Sequence, residues 1–586
     1  MYNVYLFQPQ YTINHDNIDQ YWIPYSVGCL WSYAQQFDWV SEHFILKDLI
    51  FKRELTNQLI ERLDNPHICG FSCYVWNEQY NLFVAKLIKE KWPRCIIVFG
   101  GPQVNSSLLD NDFIDSIILN EGESSFVSIL DCIRKNNKPE PLYIGQRMEN
   151  LSIPSPYLTG VFDTILKENP LAKWHMTMET NRGCPYQCTF CDWGSLTYTK
   201  VKKFDIERVE AEIDWAASNP VTYFYCTDAN FGIYKDRDKQ IAQMFRSKLY
   251  NTNVETISLQ FAKNSNENVM EIAQIVGNLN KGVTISVQSL HDDTLQAIKR
   301  KNLAVNDMQT VFRLAEKYNV KTYSEFILGL PNETTESWKQ GLTDILEYGQ
   351  HQSIDIWFCQ VLRNSELGSQ KARRDYNIKT IFVKDYLALN NNKNEEIPEL
   401  VELITSTNTM SLSDIVESYM YSWMIIQFHI SGYSQILSKE ARKLNVSFKE
   451  FYDCFFINLK ESFFAEHFEM LEKAIKDYLT TGTSIFNNGH SAIHTFSSEF
   501  IYNNKEHAFD LSYNIFTKVT KTQNTGMFDL QKFFIYDSEI QYPIEIKANN
   551  KIFRIESQVK GNINLYTNRR KGYFKNIVIE INEDIV

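Results

Sequence analysis

Asn181-Arg-Gly-Cys-Pro-Tyr-Gln-Cys-Thr-Phe-Cys-Asp-Trp-Gly194 gathers Cys184, Cys188 and Cys191 within eight residues. Three thiolates at this spacing can each hold one iron of a cubane [4Fe–4S] cluster, and the missing fourth cysteine leaves one iron open to another ligand. A closed zinc site would need a fourth Cys or His at matching spacing, and no CxxC or HxxxH partner lies nearby. Disulfides fit less well, because the eleven cysteines are odd in number and scattered through 586 residues. Met1-Tyr-Asn-Val-Tyr-Leu-Phe7 reads as a strand, not as a basic segment leading into an apolar secretory run. A reducing, cytoplasmic setting is therefore expected.

Around this loop the pattern is strand then helix, repeated. His175–Glu179, Val221–Cys226, Glu255–Leu259, Val283–Val287, Lys321–Ile327 and Ile354–Phe358 read as strands. Helices fill the gaps, one starting at an Asp205 cap and one at an Asn306 cap. Upstream, Val4–Phe7, Ile68–Ser72 and Ile96–Phe99 read as buried strands, with a helix over Tyr80–Lys91 between the last two. Such alternation predicts a parallel sheet covered on both faces. The strand at Ile96 runs into Gly100-Gly-Pro102, and a later turn reads Asn120-Glu-Gly-Glu123; glycine past a strand end lets backbone approach a ligand. Pro and Ser in Ile153-Pro-Ser-Pro-Tyr157 mark a connector over 146–172, and Leu389–Glu396 is a polar loop or linker. Beyond it, Ser411 to about Leu479 reads as helical and aromatic, whereas 508–586 holds β-prone stretches such as Lys532–Tyr536.

The length suggests about three domains by the usual prior. Its 44% apolar content is ample for packing, and the longest apolar candidate, Met420–Phe428, is too short and too polar for a membrane span. A formal net charge of −12 argues against a nucleic-acid partner, which normally meets a basic footprint. Lys200–Lys203 and Lys299–Lys301 are short basic runs, read as solvated helix ends or cofactor contacts.

The CxxxCxxC spacing, with an aromatic residue before the last cysteine, resembles the radical S-adenosylmethionine superfamily, whose members chelate the cofactor at the open iron and cleave it to a 5′-deoxyadenosyl radical. Tyr25-Ser-Val-Gly28, Phe71-Ser-Cys-Tyr-Val-Trp-Asn77, Gly100-Gly-Pro102 and Glu121-Gly-Glu123 follow the order seen in the cobalamin-binding domain that precedes many of these enzymes. The resemblance implies an α/β chain. It would comprise an N-terminal Rossmann-like cobalamin-binding domain (1–145), a connector (146–172), a partial (β/α)6 barrel carrying the cluster (173–388) and a mixed α+β C-terminal domain (389–586) related to substrate, expected over the barrel mouth.

Residue by residue, the same resemblance points to Cys184, Cys188 and Cys191 as cluster ligands. Asp228 and Asn230 fall where the family grips the methionyl amine. Ser286, Gln288 and Ser289 match its Ser-x-Gln-Ser pattern, Arg300 would pair with the methionyl carboxylate, and Glu325 precedes the Gly329-Leu-Pro-Asn-Glu-Thr334 signature. Each of these polar residues has a structural alternative, capping a helix or satisfying backbone. Ser72, Tyr74, Trp76, Asn77, Gly100, Gly101, Pro102, Glu121, Gly122 and Glu123 would line the cobalamin. The histidine that ligates cobalt in other cobalamin proteins has a near miss in Asp64-Asn-Pro-His67-Ile-Cys-Gly70, one residue too long and ahead of a strand instead of after it. His67 therefore reads as a surface residue, and Trp76 as the group against the lower face of the corrin.

Cys191-Asp-Trp-Gly194 and Asp228-Ala-Asn-Phe-Gly232 resemble the methylase subgroup that includes carbapenem-pathway and peptide C-methyltransferases. This implies transfer of a methyl group from methylcobalamin to an unactivated carbon of a natural-product or peptide substrate, with a flavodoxin or ferredoxin as electron donor and no obligatory protein acid or base. Rearrangement, ring contraction or cyclisation with the same cofactors is the alternative. A transfer-RNA methylthiotransferase would need extra cluster cysteines and a basic module, and a non-catalytic cobalamin-binding protein would not need three intact cluster cysteines.

Overall fold

Alternate residues of two neighbouring N-terminal strands enter two different cores. Tyr5, Phe7, Cys69 and Phe71 pack on one side, against Val84 and Ile88; Val4, Leu6 and Ile68 pack on the other, against Val27, Phe126 and Leu130. A strand buried on both faces is what a parallel sheet between two helical layers requires. The computed structural model describes residues 1–15, 18–148, 151–192, 200–263, 267–385, 396–483, 489–524, 526, 528, 544–548 and 551–555. Trp193, Gly194, linker residues 389–395 and Lys532–Tyr536 lie outside the described residues.

The first strands are β1 (Tyr2–Gln10), β2 (Ile13–His15), β3 (Ile18–Trp22), β4 (Phe44–Lys52), β5 (Ile68–Ser72), β6 (Ile96–Gly100), β7 (Ser116–Leu119) and β8 (Leu142–Ile144). Six of them form one parallel sheet, ordered β4-β1-β5-β6-β7-β8. The order reverses between β1 and β5, so the crevice at their carboxyl ends is where a doubly wound sheet binds ligands.

Then follow β9 (Lys173–Met178), the short hairpin β10 (Asn181–Arg182) and β11 (Lys202–Lys203), β12 (Val221–Phe231), β13 (Thr256–Phe261), β14 (Val283–Gln288), β15 (Thr322–Leu328) and β16 (Ile354–Phe358). The long strands are parallel, in groups β13-β12-β9 and β14-β15-β16, joined by a bridge between Ile257 and Asn280. All six expected strands are present, five of them within one or two residues at each end and β12 running five residues further than expected. Partly buried residues alternate with buried ones along β12 and β15, so one face of these strands packs on helices and the other stays accessible.

Two expectations fail here. Residues 1–145 were expected as one unit, but β2 and β3 leave the first sheet: β3 pairs parallel with β9, Trp22 opposite His175, and Tyr21 packs on Trp174 with ring centroids 5.6 Å apart. The helix expected to start at an Asn306 cap is Val305–Lys317, because the Ala304 carbonyl already accepts from Asp307 and Met308. Asp205 does occupy its N-cap position, without a side-chain capping bond.

Downstream, β17 (Lys379–Lys384) and β18 (Leu400–Ser406) form an antiparallel pair, and β18 also bonds to the segment leaving β16 through Ile404 N–H to the Cys359 carbonyl at 3.0 Å. Among the described residues six α-helices follow, from Leu412–Met424 to Lys505–Thr520. The last overturns the β-prone reading of its residues: Ala508, Phe509, Leu511, Ser512, Ile515 and Phe516 are buried at helical spacing. Among the described residues β19 (Ile544–Ala548) and β20 (Lys551–Ile555) form an antiparallel hairpin. Within the C-terminal third, helix Leu412–Met424 packs on helix Thr335–Glu347, whose Trp338 indole N–H donates to Ser422 Oγ at 2.9 Å. Among the described residues no helix is long and apolar enough to cross a membrane.

Candidate functional site

The cysteine loop leaves the carboxyl end of β9 and is held from three sides. Behind it, Asp228 on β12 is fully buried and accepts from Thr180 N–H at 2.7 Å, Asn181 N–H at 3.0 Å, Asn181 Nδ2 at 2.6 Å and the Thr180 hydroxyl. Burial pushes its carboxyl up to about 7, and the donors of Thr180 and Asn181 work against that rise. Below it, Thr189 N–H donates to the Ile298 carbonyl at 3.1 Å, and Leu367 N–H, from the segment after β16, donates to the Thr189 carbonyl at 2.8 Å. Gly183, at φ +118°, leads into Cys184 with the Lys200 carbonyl 2.8 Å from where a Cβ would stand, so this entry requires glycine.

Cys184 and Cys188 are buried and Cys191 is half-buried. Asn230 Nδ2 lies 3.4 Å from Cys184 Sγ and Lys263 Nζ 3.2 Å from Cys188 Sγ. Among the described residues no three His, Cys, Asp or Glu side chains converge as ligands of a single metal ion do. A cubane asks for something else, since each thiolate binds a different iron.

The ends of β14 and β15 supply the other wall. Ser286 Oγ donates to Glu325 Oε2 at 2.6 Å; Glu325 sits beside Asp355 across β15 and β16, and burial raises its carboxyl. Gln288 closes β14 at φ +65°, a conformation that a non-glycine residue adopts only when its surroundings impose it. Ser289 is engaged by Glu333, which also accepts from Ser337 at the start of helix Thr335–Glu347. Arg300 is buried, with Nε on Asn302 Oδ1 at 2.9 Å and Nη2 on the Ser286 carbonyl. Its Nη1 and the Oδ1 of Asn230 are buried without a hydrogen-bond partner. Buried polar atoms are normally paired. An orphan donor and an orphan acceptor beside the cysteine loop suit a ligand carrying both carboxylate and ammonium groups, so the residues present fit S-adenosylmethionine.

At the carboxyl edge of the first sheet, Gly101 has φ +103° and a Cβ there would stand 2.6 Å from the Cys73 carbonyl oxygen. The loop can pass Cys73 only as glycine. Ser72 Oγ meets Ser26 Oγ at 2.9 Å, and Ser26 is held by Gln8, so the ends of β1 and β5 are joined at the crevice. Tyr74 and Trp76 stack at 4.5 Å, and Trp76 Nε1 is buried without a partner. Asn77 is fully buried and serves backbone, donating to the carbonyls of Pro9 and Ser72 at 3.1 Å and accepting from Tyr74 N–H at 2.8 Å. The Pro102 carbonyl accepts from Asn364 Nδ2 at 2.7 Å. This edge carries a glycine loop beside a stacked aromatic pair, surfaces that suit a large planar ring. His67 lies at the opposite, amino end of β5, where its Nδ1 accepts from Asn3 N–H at 3.1 Å.

The two halves meet through contacts that sequence reasoning missed. Glu121 and Glu123, at the carboxyl edge of the first sheet, both face the guanidinium of Arg182, two residues before Cys184. Arg363 pairs with Glu78, and Asn364 bonds to the glycine loop just three residues before Leu367 reaches the cysteine loop. Arg53, between the rings of Tyr11 and Tyr80, pairs at 2.7 Å with Glu399, which also accepts from the N–H groups of Gln79 and Tyr80 at a helix N-terminus. Arg182 stands inside the motif that was read, but no local pattern reveals partners sixty residues upstream.

Residues 178–345 match the model of the Radical SAM superfamily. The chain is 31% identical over 459 residues to a protein named cobalamin-dependent radical SAM methyltransferase TokK, of Streptomyces tokunonensis, covering 74% of this chain and 67% of that one. It is 31% identical over 458 residues, with the same coverage, to 2-(S-pantetheinyl)-carbapenam-3-carboxylate methyltransferase of Streptantibioticus cattleyicolor. Among solved structures, that of the cobalamin-dependent S-adenosylmethionine radical enzyme OxsB without cofactors superposes with a TM-score of 0.51 at 14% identity, over 92% of this chain and 82% of that one, a likeness of fold.

Proposed function

The chain belongs to the cobalamin-dependent radical S-adenosylmethionine methyltransferases, and from that premise we propose that it moves a methyl group to an unactivated carbon of a small natural product or a peptide. In this reading residues 1–145, apart from β2 and β3, form the Rossmann-like cobalamin-binding domain, 146–172 the connector, 173–388 a partial barrel and 389–586 a substrate-related domain. When bound, the cluster and S-adenosylmethionine supply a hydrogen-abstracting radical and the cobalamin supplies the methyl group. The observation that carries the reading is the meeting of two ligand-ready edges: the cysteine loop with its orphan Asn230 Oδ1 and Arg300 Nη1, and the Gly101 loop, tied together by Arg182 and Asn364.

The chain's own residues bind, orient and exclude. Cys184, Cys188 and Cys191 hold three irons. Asn230 accepts from the methionyl ammonium, Arg300 donates to the carboxylate, and Ser286 with Glu325 offers hydrogen-bonding oxygens deeper in the strands. Gln288 is held by its strained backbone at their rim. Asp228, Ser289 and Asn77, whose polar atoms are taken by other protein groups, position the loops around them. At the other edge Gly100, Gly101 and Pro102 let the ring approach, Ser72 and the Tyr74–Trp76 stack bear on it, and Glu121, Gly122 and Glu123 close the turn. An acidic one-electron carrier such as a flavodoxin or ferredoxin would reduce the cluster.

The test is anaerobic reconstitution followed by incubation with candidate metabolites and S-adenosylmethionine bearing a trideuteromethyl group. A product in which a trideuteromethyl group has replaced one hydrogen, with 5′-deoxyadenosine released, supports methyl transfer; 5′-deoxyadenosine with an isomerised, unlabelled product would replace it by rearrangement. Arg300→Ala should weaken S-adenosylmethionine binding by roughly tenfold to a hundredfold, the worth of a charge-assisted hydrogen bond. Calorimetric titration of the cluster-loaded protein checks this, and an unchanged affinity would move Arg300 off the cofactor.

A further inference from the structure

Arg182 and Glu179, three residues apart, would by themselves be a local pair. Here the guanidinium grips Glu179 side-on, Nε to Oε1 at 3.2 Å and Nη2 to Oε2 at 2.8 Å, which leaves Nη1 for a different partner. That partner is Glu123, 3.0 Å away at the first turn of helix Glu123–Arg134, with Glu121 at 3.7 Å. Glu121 is itself held by Met148 N–H at 2.9 Å, and Tyr25 OH reaches Glu179 at 3.4 Å. One planar fork thus joins the end of β9 to the turn after β7, in different sheets. Its side chain is 15% exposed and that of Glu123 is 6%, so the pair is largely withdrawn from solvent and its geometry is sharply defined.

We propose that Arg182 is a positioning residue that fixes the cysteine loop against the carboxyl edge of the first sheet and so sets the placement of the cluster relative to the cobalamin. The assignment rests on the cofactor placement proposed above. Only Gly183 separates Arg182 from Cys184, and at φ +118° against the Lys200 carbonyl it has little room to absorb a shift. Movement of the guanidinium is therefore handed to the first cluster ligand. Lysine offers one point charge and cannot hold Glu179 and Glu123 in a fork, so Arg182→Lys counts as a loss at this position. The halves themselves stay docked without Arg182, through Arg53 with Glu399 and Asn364 with the Pro102 carbonyl.

The experiment is electron paramagnetic resonance on full-length, anaerobically reconstituted holoenzyme, with cobalt in its cob(II)alamin state and the cluster reduced, reading the magnetic coupling between the two centres. Arg182→Gln and Arg182→Lys should keep wild-type iron and cobalamin content while the resolved coupling broadens or is lost, and Glu123→Gln should do the same from the opposite side. A coupling in the loaded variants that superimposes on wild type would overturn the proposal. Should the Arg182 variants fail to load, Glu123→Gln decides alone, an unchanged coupling counting against it. Wild-type protein that binds cobalamin and cluster with no coupling at all would refute the cofactor placement, and the role of Arg182 with it.

Discussion

Replacement of Cys184, Cys188 and Cys191 together by alanine is expected to abolish the cluster and with it all 5′-deoxyadenosine production, while cobalamin stays bound at wild-type stoichiometry. The three cysteines belong to the loop after β9 and not to the first sheet. The first sheet should survive because the cysteines belong neither to its Tyr5, Phe71 and Phe99 cluster nor to the core that its other face shares with the second sheet. Alanine loses three metal bonds and leaves small apolar groups where Asn230 and Lys263 now face sulfur, so the loop itself should persist. Iron and sulfide quantification, the absorbance of bound cobalamin and chromatography of 5′-deoxyadenosine together check the result. Full 5′-deoxyadenosine production by the triple variant would end the assignment of these cysteines.

Asp228→Ala should have the second largest effect. It removes the acceptor of two buried backbone N–H groups and two side-chain donors at the point where β9 turns into the cysteine loop. Each buried group left unpaired costs about 1–3 kcal/mol, so a loss on the order of 3 kcal/mol or more is expected. Asp228→Asn should be milder, since its oxygen can still accept from both amides. The expected signature is a lower unfolding midpoint and poor iron loading in Asp228→Ala, with partial recovery of both in Asp228→Asn. Normal stability and loading with weakened S-adenosylmethionine binding would return Asp228 to a direct role at the methionyl amine.

What the sequence made legible were features whose cause is local. Six strands of the second sheet group and three of the first follow from buried runs, and the three cysteines proposed for the cluster stand out by their spacing. The residues that organise the site act at a distance. Asp228 sits in a motif as a ligand candidate, but its carboxylate is consumed by Thr180 and Asn181, a pairing that only the fold creates. Ser289 is likewise taken by Glu333, and Asn77 by backbone. Arg182 was in plain view beside Cys184, yet its partners lie on another sheet. β3 was missed because five residues with little alternation announce nothing until Tyr21 finds Trp174. The helix Lys505–Thr520 was misjudged because its β-branched and aromatic residues suit a strand in isolation, whereas burial at helical spacing decides the outcome.

The placement of β3 also bears on how the chain is made. Gln20 and His175, which hydrogen-bond at 3.1 Å across β3 and β9, are separated by 155 residues. Emerging before β9, β3 has only β2 to pair with while the rest of the first sheet folds and β9 is synthesised. Until β9 arrives the other edge of Ile18–Trp22 stays open, and without β3 the matching edge of β9 would be bare. A fragment beginning at the connector would carry that bare edge permanently. The two sheets are thus sewn together by order of synthesis as well as by ion pairs, so the second half of the molecule can be completed only in the presence of the first.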